Sequence, residues 1–205
     1  MIHNRRYWMT VGVLVAVVFG VLWGQKSHLQ ESYASEVVRF HVLANSNSEA
    51  DQELKLSVRN QVGAYVGKLL DGVESKEETL QVMKEHLPEI EQVAEAEVAR
   101  QGKDYPVTAK IEQVEFPVKV YGQYHMPAGK YTSLQVKIGE AKGKNWWCVM
   151  YPNMCFAGNT YEVVEGKEKK QMYQVFTVYE YKKLIESPDK ETHFKYFTKL
   201  EDKLY

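Results

Sequence analysis

Val37-Val38-Arg39-Phe40-His41-Val42-Leu43-Ala44-Asn45-Ser46-Asn47-Ser48-Glu49-Ala50-Asp51 reads as a strand, a polar turn and a helix start in one piece. Side chains alternate across a strand, so Val38, Phe40, Val42 and Ala44 share one face and Arg39 and His41 the other. The apolar set is the natural core. Arg39 and His41 are then expected to project towards water or a partner, with Asn45 at the same edge. The competing expectation is a buried arginine paired with a helix acid such as Asp51. Asn45-Ser46-Asn47-Ser48 ends the strand, because these short side chains hydrogen-bond nearby backbone. Ser46 and Glu49 have the spacing of a capping box. Leu54, Val58, Val62, Tyr65 and Leu69 then recur at steps of three and four, the apolar stripe of a helix.

Downstream, Asp71-Gly72 ends that helix, and Lys76–Gly102 reads as an acidic helical region kinked or restarted at Pro88. From Pro106 the period changes to two. Val107, Ala109 and Ile111 mark one strand, and Glu115–Tyr121 continues as strand with Pro117 at an edge or bulge. Residues 122–129 read as a loop. Thr132–Ile138 and Trp146–Tyr151 are two further strands, and short connections make neighbours antiparallel. The order predicts an α+β fold, a mostly antiparallel sheet with helices packed on one face. A closing helix is expected over 173–186, followed by a partly ordered tail.

The N-terminus sets the compartment. Arg5 and Arg6 precede an apolar run from Tyr7 to Gly24, broken only by Thr10. This is the pattern of an export segment whose arginines stay in the cytoplasm. Its length lies between a long signal-peptide core and a short membrane span. Ser32-Tyr33-Ala34 offers small residues for a signal peptidase, with cleavage between Ala34 and Ser35. Cleaved peptide and retained anchor both stand. The chain therefore divides into a signal peptide or anchor (1–25), a linker (26–36), a folded domain (37–158) and a C-terminal extension (159–205). A net charge of −1 gives no bulk electrostatic case for nucleic acid.

Several groups invite a chemical reading. His41 is a candidate general base for Ser46 or Ser48, but no Gly-x-Ser-x-Gly surrounds them. His41, His86, His125 and His193 are widely spaced, and no His-x-x-x-His or Cys-x-x-Cys occurs, which argues against a metal. Asn45–Asp51 looks like a calcium loop but lacks its central glycine and terminal glutamate. No cofactor motif is present. Cys148 and Cys155, the two cysteines, stand symmetrically about Tyr151-Pro152. An exported chain can keep them as a disulfide. Buried free thiols, or a nucleophilic Cys148 with His125 or His41, are the other readings. Trp146 and Trp147 point to opposite faces of a regular strand, so one is a candidate binding anchor.

Two stretches together resemble the stage II sporulation protein R family. The first is Arg39-Phe40-His41-Val42-Leu43-Ala44-Asn45-Ser46, with Glu49, Asp51, Leu54, Lys55 and Arg59 behind it. The second is Pro127–Gly139 followed by Gly143–Phe156, with the tryptophan and cysteine pairs in place. The resemblance covers 36–156 and does not extend past Asn159. It implies a signal and not an enzyme. Such a protein is made in the forespore of an endospore-forming bacterium and exported into the space between forespore and mother cell. There it activates a membrane-embedded aspartic protease that processes the sigma-E precursor. The expected receptor contacts are Arg39, His41, Asn45, Trp146 and Trp147. The alternative is an exported hydrolase using His41 with a turn serine, or Cys148.

Overall fold

The computed structural model describes residues 2–121, 124–152, 172 and 174–185. Helix α1 (Ile2–Glu36) carries the apolar run. Trp8, Val13, Phe19 and Trp23 are each more than half exposed. Trp8–Glu36 is long and apolar enough to cross a membrane. The stretch from Lys26 to Glu36, polar enough to read as a linker, continues the same helix.

Strand β1 (Val38–Leu43) leads into α2 (Glu49–Leu69), α3 (Lys76–Glu85) and α4 (Leu87–Arg100). Pro88 sits in the first turn of α4, where its missing N–H costs no hydrogen bond. Then come β2 (Val107–Phe116), β3 (Lys119–Tyr121), β4 (Tyr124–Met126), β5 (Gly129–Ile138), β6 (Asn145–Tyr151) and α5 (Val178–Ile185). The main sheet has the order β2-β5-β1-β6. β1 runs parallel to β5, with Phe40 opposite Leu134 and Val42 opposite Val136, and antiparallel to β6. β2 and β5 are antiparallel. The fold is α+β and the sheet mostly antiparallel.

Two local expectations change. β4 replaces part of the loop read over 122–129, and pairs with β3 as a separate two-stranded ribbon. β5 and β6, joined by a short connection, do not pair with each other. β1 lies between them, because its two-sided burial suits a central strand.

Both faces of the sheet are covered. On one, Val38, Phe40 and Val42 pack with Leu54, Val58, Val62 and Val66 of α2, Met83 of α3, and Ile90, Ala94 and Val98 of α4. On the other, Val37, Phe116, Tyr131 and Val149 meet Tyr33 of α1, Tyr124 and Met126 of β4, and Tyr181 and Leu184 of α5. Met172 and Phe176 join this second cluster.

Candidate functional site

The turn after β1 is a hydrogen-bonded knot. Helix α2 is capped by Ser48, whose hydroxyl accepts from the Asp51 amide at 3.2 Å. This corrects the capping box expected from Ser46 and Glu49. Ser46 is used differently: it donates to Asp51 Oδ2 at 2.6 Å and accepts from the Ser48 amide at 3.1 Å. Asn45 Nδ2 donates to the same carboxylate oxygen at 2.8 Å. The bonds from Ser46 and Asn45 hold the Asp51 carboxyl below its ordinary pKa.

The connection between β5 and β6 arches over this turn. Asn45 Oδ1 accepts from the Glu140 amide at 2.9 Å, and Asn47 Oδ1 from the Lys144 amide at 2.7 Å. The Gly143 amide donates to the Ala44 carbonyl at 2.9 Å. Lys55 Nζ reaches up from α2 to the Lys144 carbonyl at 3.1 Å. The approach is close enough to demand glycine: a methyl on Gly143 would lie 2.1 Å from the Ser46 carbonyl oxygen. The result is a rigid polar corner, with Asn47, Ser48 and Glu49 exposed along it and Asn45 half-buried.

Arg39 and His41 do not face water. Both are buried, at 0% and 3% exposure, which corrects the expectation for this pair. The second layer described above closes over them. Arg39 is not paired with Asp51 either. Its Nε donates to the Cys148 carbonyl at 3.0 Å and its Nη2 to the Tyr121 hydroxyl at 2.8 Å. Its guanidinium lies over the rings of Phe116 at 4.2 Å and Tyr131 at 4.9 Å. A flat, weakly hydrated cation can be buried among aromatic faces at a smaller desolvation cost than an ammonium. Burial lowers its pKa, while Tyr121 and Tyr131 oppose the shift.

His41 stacks on Trp147 with ring centroids 3.7 Å apart, and its Nδ1 meets Gln135 Nε2 at 3.1 Å. The direction of that bond follows the imidazole tautomer, since the Gln135 amide can present either its nitrogen or its oxygen to the ring. Burial pushes the His41 pKa down to about 3. A base that weak takes little proton from a serine at neutral pH. Ser46 and Ser48 already serve Asp51 and the α2 cap.

The tryptophans divide between the two faces. Trp146 packs edge-on against Phe40 at 5.6 Å, with the Arg59 guanidinium 4.9 Å from its ring. Trp147 covers His41 and meets Phe116 at 4.6 Å. Both are half-buried. Cys148 is buried and is not a free thiol, which removes it as a nucleophile in this state. Cys155 lies outside the described residues. Ala34 and Ser35 are inside α1, and their carbonyls accept from Lys76 Nζ at 3.0 and 2.6 Å. Among the described residues no group of His, Cys, Asp and Glu is placed to hold a metal ion.

Sequence reasoning placed Lys55 in the family stretch without a structural role, and missed Lys76 and the ring of aromatics around Arg39. The abundance of tyrosine, 14 residues, was the available signal for the last.

No solved structure matches this chain. Stage II sporulation protein R of Bacillus subtilis (strain 168) is 33% identical over 137 residues, covering 66% of this chain. The match spans 61% of that relative's length. The family model for stage II sporulation protein R matches residues 34–161, which takes in the knot, the buried Arg39–His41 pair and both tryptophans. The chain belongs to the stage II sporulation protein R family.

Proposed function

We propose that the protein is a non-enzymatic signal, exported from the forespore into the intermembrane space, that switches on the membrane-embedded aspartic protease processing the sigma-E precursor. Family membership supports a role in sporulation. The observation that carries the binding reading is the knot: its reactive-looking groups are spent on one another, and the product is a rigid surface. A preformed surface keeps the ordering cost of binding low. It acts on a receptor only through a difference in affinity between the receptor's two states.

The receptor-contacting surface is the corner built by Asn45–Glu49, residues 140–144, Arg59, Trp146 and Trp147. Arg39 and His41 support it from within and touch nothing outside. β1 and β5 carry this corner roughly 20–30 Å from the end of α1, at about 3.3 Å per strand residue. An anchor in one membrane and a receptor in the facing membrane suit that separation. The position of Ala34 and Ser35 within α1, with Tyr33 buried beside them, supports a retained anchor over cleavage. Cys148 and Cys155 form the disulfide, so thiol titration of the denatured protein is expected to find no free thiol.

The test is co-production of the full chain, the receptor protease and its substrate in a host that does not sporulate. Arg59→Glu and Trp146→Ala are expected to reduce substrate processing several-fold with the melting temperature little changed for Arg59→Glu. Unchanged processing with both variants would place the contact elsewhere. Loss of processing with His41→Gln, at wild-type stability, would revive the hydrolase reading.

A further inference from the structure

Helices α1 and α5 are fastened together. The Tyr33 hydroxyl donates to the Glu180 carbonyl at 2.8 Å, the Ser32 hydroxyl donates to the Glu180 carboxylate, and Tyr33 packs edge-on against Phe176 at 5.4 Å. Above this clasp lies a cavity of about 610 Å³, lined on one side by Val21, Gly24 and His28 and on the other by Thr177 and Tyr179. Val21 and Gly24 belong to the apolar run. Val21 lies about 5 Å further along α1 towards the membrane interior than Gly24. The first turn of α5 is therefore held at the depth where the run ends.

Apart from Glu180, which is turned to the clasp, that turn presents an apolar and uncovered corner. Val178 is 64% exposed and Tyr179 62%, while Tyr181 and Leu184 on the opposite side are buried in the second core. Lys182 and Lys183 follow one turn later and are exposed. Tyrosine at the edge of an apolar layer, with lysines able to reach phosphate above it, is the composition of a membrane–water boundary.

We propose that the Val178–Tyr179 corner of α5 is a membrane seat, docking on the phospholipid bilayer beside the point where α1 leaves it. A single helix joining a domain to a membrane leaves the domain free to tilt. A second contact, fixed to the first through Glu180, sets one orientation. The inference stands apart from the identity of any receptor.

The full chain is reconstituted in bilayers of phosphatidylglycerol and phosphatidylethanolamine whose acyl chains carry bromine, a short-range tryptophan quencher. In a Trp8→Phe/Trp23→Phe background, Tyr179→Trp is compared with Lys142→Trp, which sits on the far corner and is exposed. The emission added by Tyr179→Trp is expected to be blue-shifted and quenched several-fold more than that added by Lys142→Trp. Shallow bromines should quench it more than deep ones. Equal quenching at the two positions overturns the proposal and leaves the corner to a protein partner or a second copy. Trp23 in the unmodified chain provides the remaining arm: if lipid bromines fail to quench it, α1 does not span the bilayer and the seat is lost with it.

Discussion

The two faces of β1 are built on opposite plans. One is aliphatic: Val38, Phe40 and Val42 meet the valine stripe of α2, and its stability is area removed from water. The other buries a cation and a neutral imidazole among Phe116, Tyr121, Tyr131 and Trp147. The first tolerates any side chain of the right volume. The second buries polar groups whose bonds are only partly made, Arg39 Nη1 and Gln135 Oε1 having no hydrogen-bond partner among the described residues, and each further bond lost in such a site is costly. A strand can thus present two cores that fail in different ways.

The largest separation should come from deletion of volume. Phe40→Ala is expected to cost about 3–5 kcal/mol, as for a buried aromatic leaving a cavity, measured by chemical denaturation. Acid should break the second face first. The His41 imidazole titrates near 6.5 when unfolded and near 3 when folded. Between those values the unfolded chain binds the extra proton, so this stability is complete above pH 6.5 and drains as pH falls towards 3. Up to about 5 kcal/mol is at stake. The helical face loses stability in a lower window. Arg100 above all, with Ser57 and Gln101, holds Glu97 at about 2, so its contribution persists down to its ordinary pKa of 4.5 and is lost towards 2. Melts between pH 6.5 and 4.5 should therefore slope in the wild type and flatten in His41→Gln. An unchanged slope in that variant would mean that His41 is not the sensor.

Arg39→Ala is expected to cost about 2–3 kcal/mol by emptying the aromatic cage and stranding the Tyr121 hydroxyl and Cys148 carbonyl. Arg39→Met, which keeps the stem, should cost less than half as much. No carboxylate is left unpaired by either change, so a larger loss from Arg39→Met than from Arg39→Ala would contradict the cage. Smallest is the cap: Ser48→Ala should lower stability by about 1 kcal/mol, and Ser46→Ala should act separately, through Asp51.

The aliphatic face was legible from period alone. Val38, Phe40 and Val42 at steps of two and Leu54, Val58 and Val62 at steps of four each name a face without knowledge of the partner. The restart of α4 at Pro88 was equally local. Arg39 and His41 read as outward because residue type argues for water and nothing nearby in sequence argues back. Their cover comes from Phe116 of β2, Tyr121 of β3, Tyr131 and Gln135 of β5 and Trp147 of β6, all at least 75 positions downstream. The knot was half legible. Asn45–Ser48 plainly ends a strand, but the choice of Ser48 as cap depends on Asp51 being drawn to Asn45 and Ser46, and on a connection some 90 residues downstream.

That separation bears on the order in which the chain becomes a protein. β1 is the first strand made and sits at the centre of the sheet, yet His41 waits for Gln135, 94 residues later, before it has its partner on β5. β6, which closes the other side, comes later still. Long loops must close before the central pairing gives any return. Through most of its synthesis the chain therefore holds Arg39 and His41 unsheltered, and the aromatic side of the central strand closes only when Trp147 arrives and caps the imidazole.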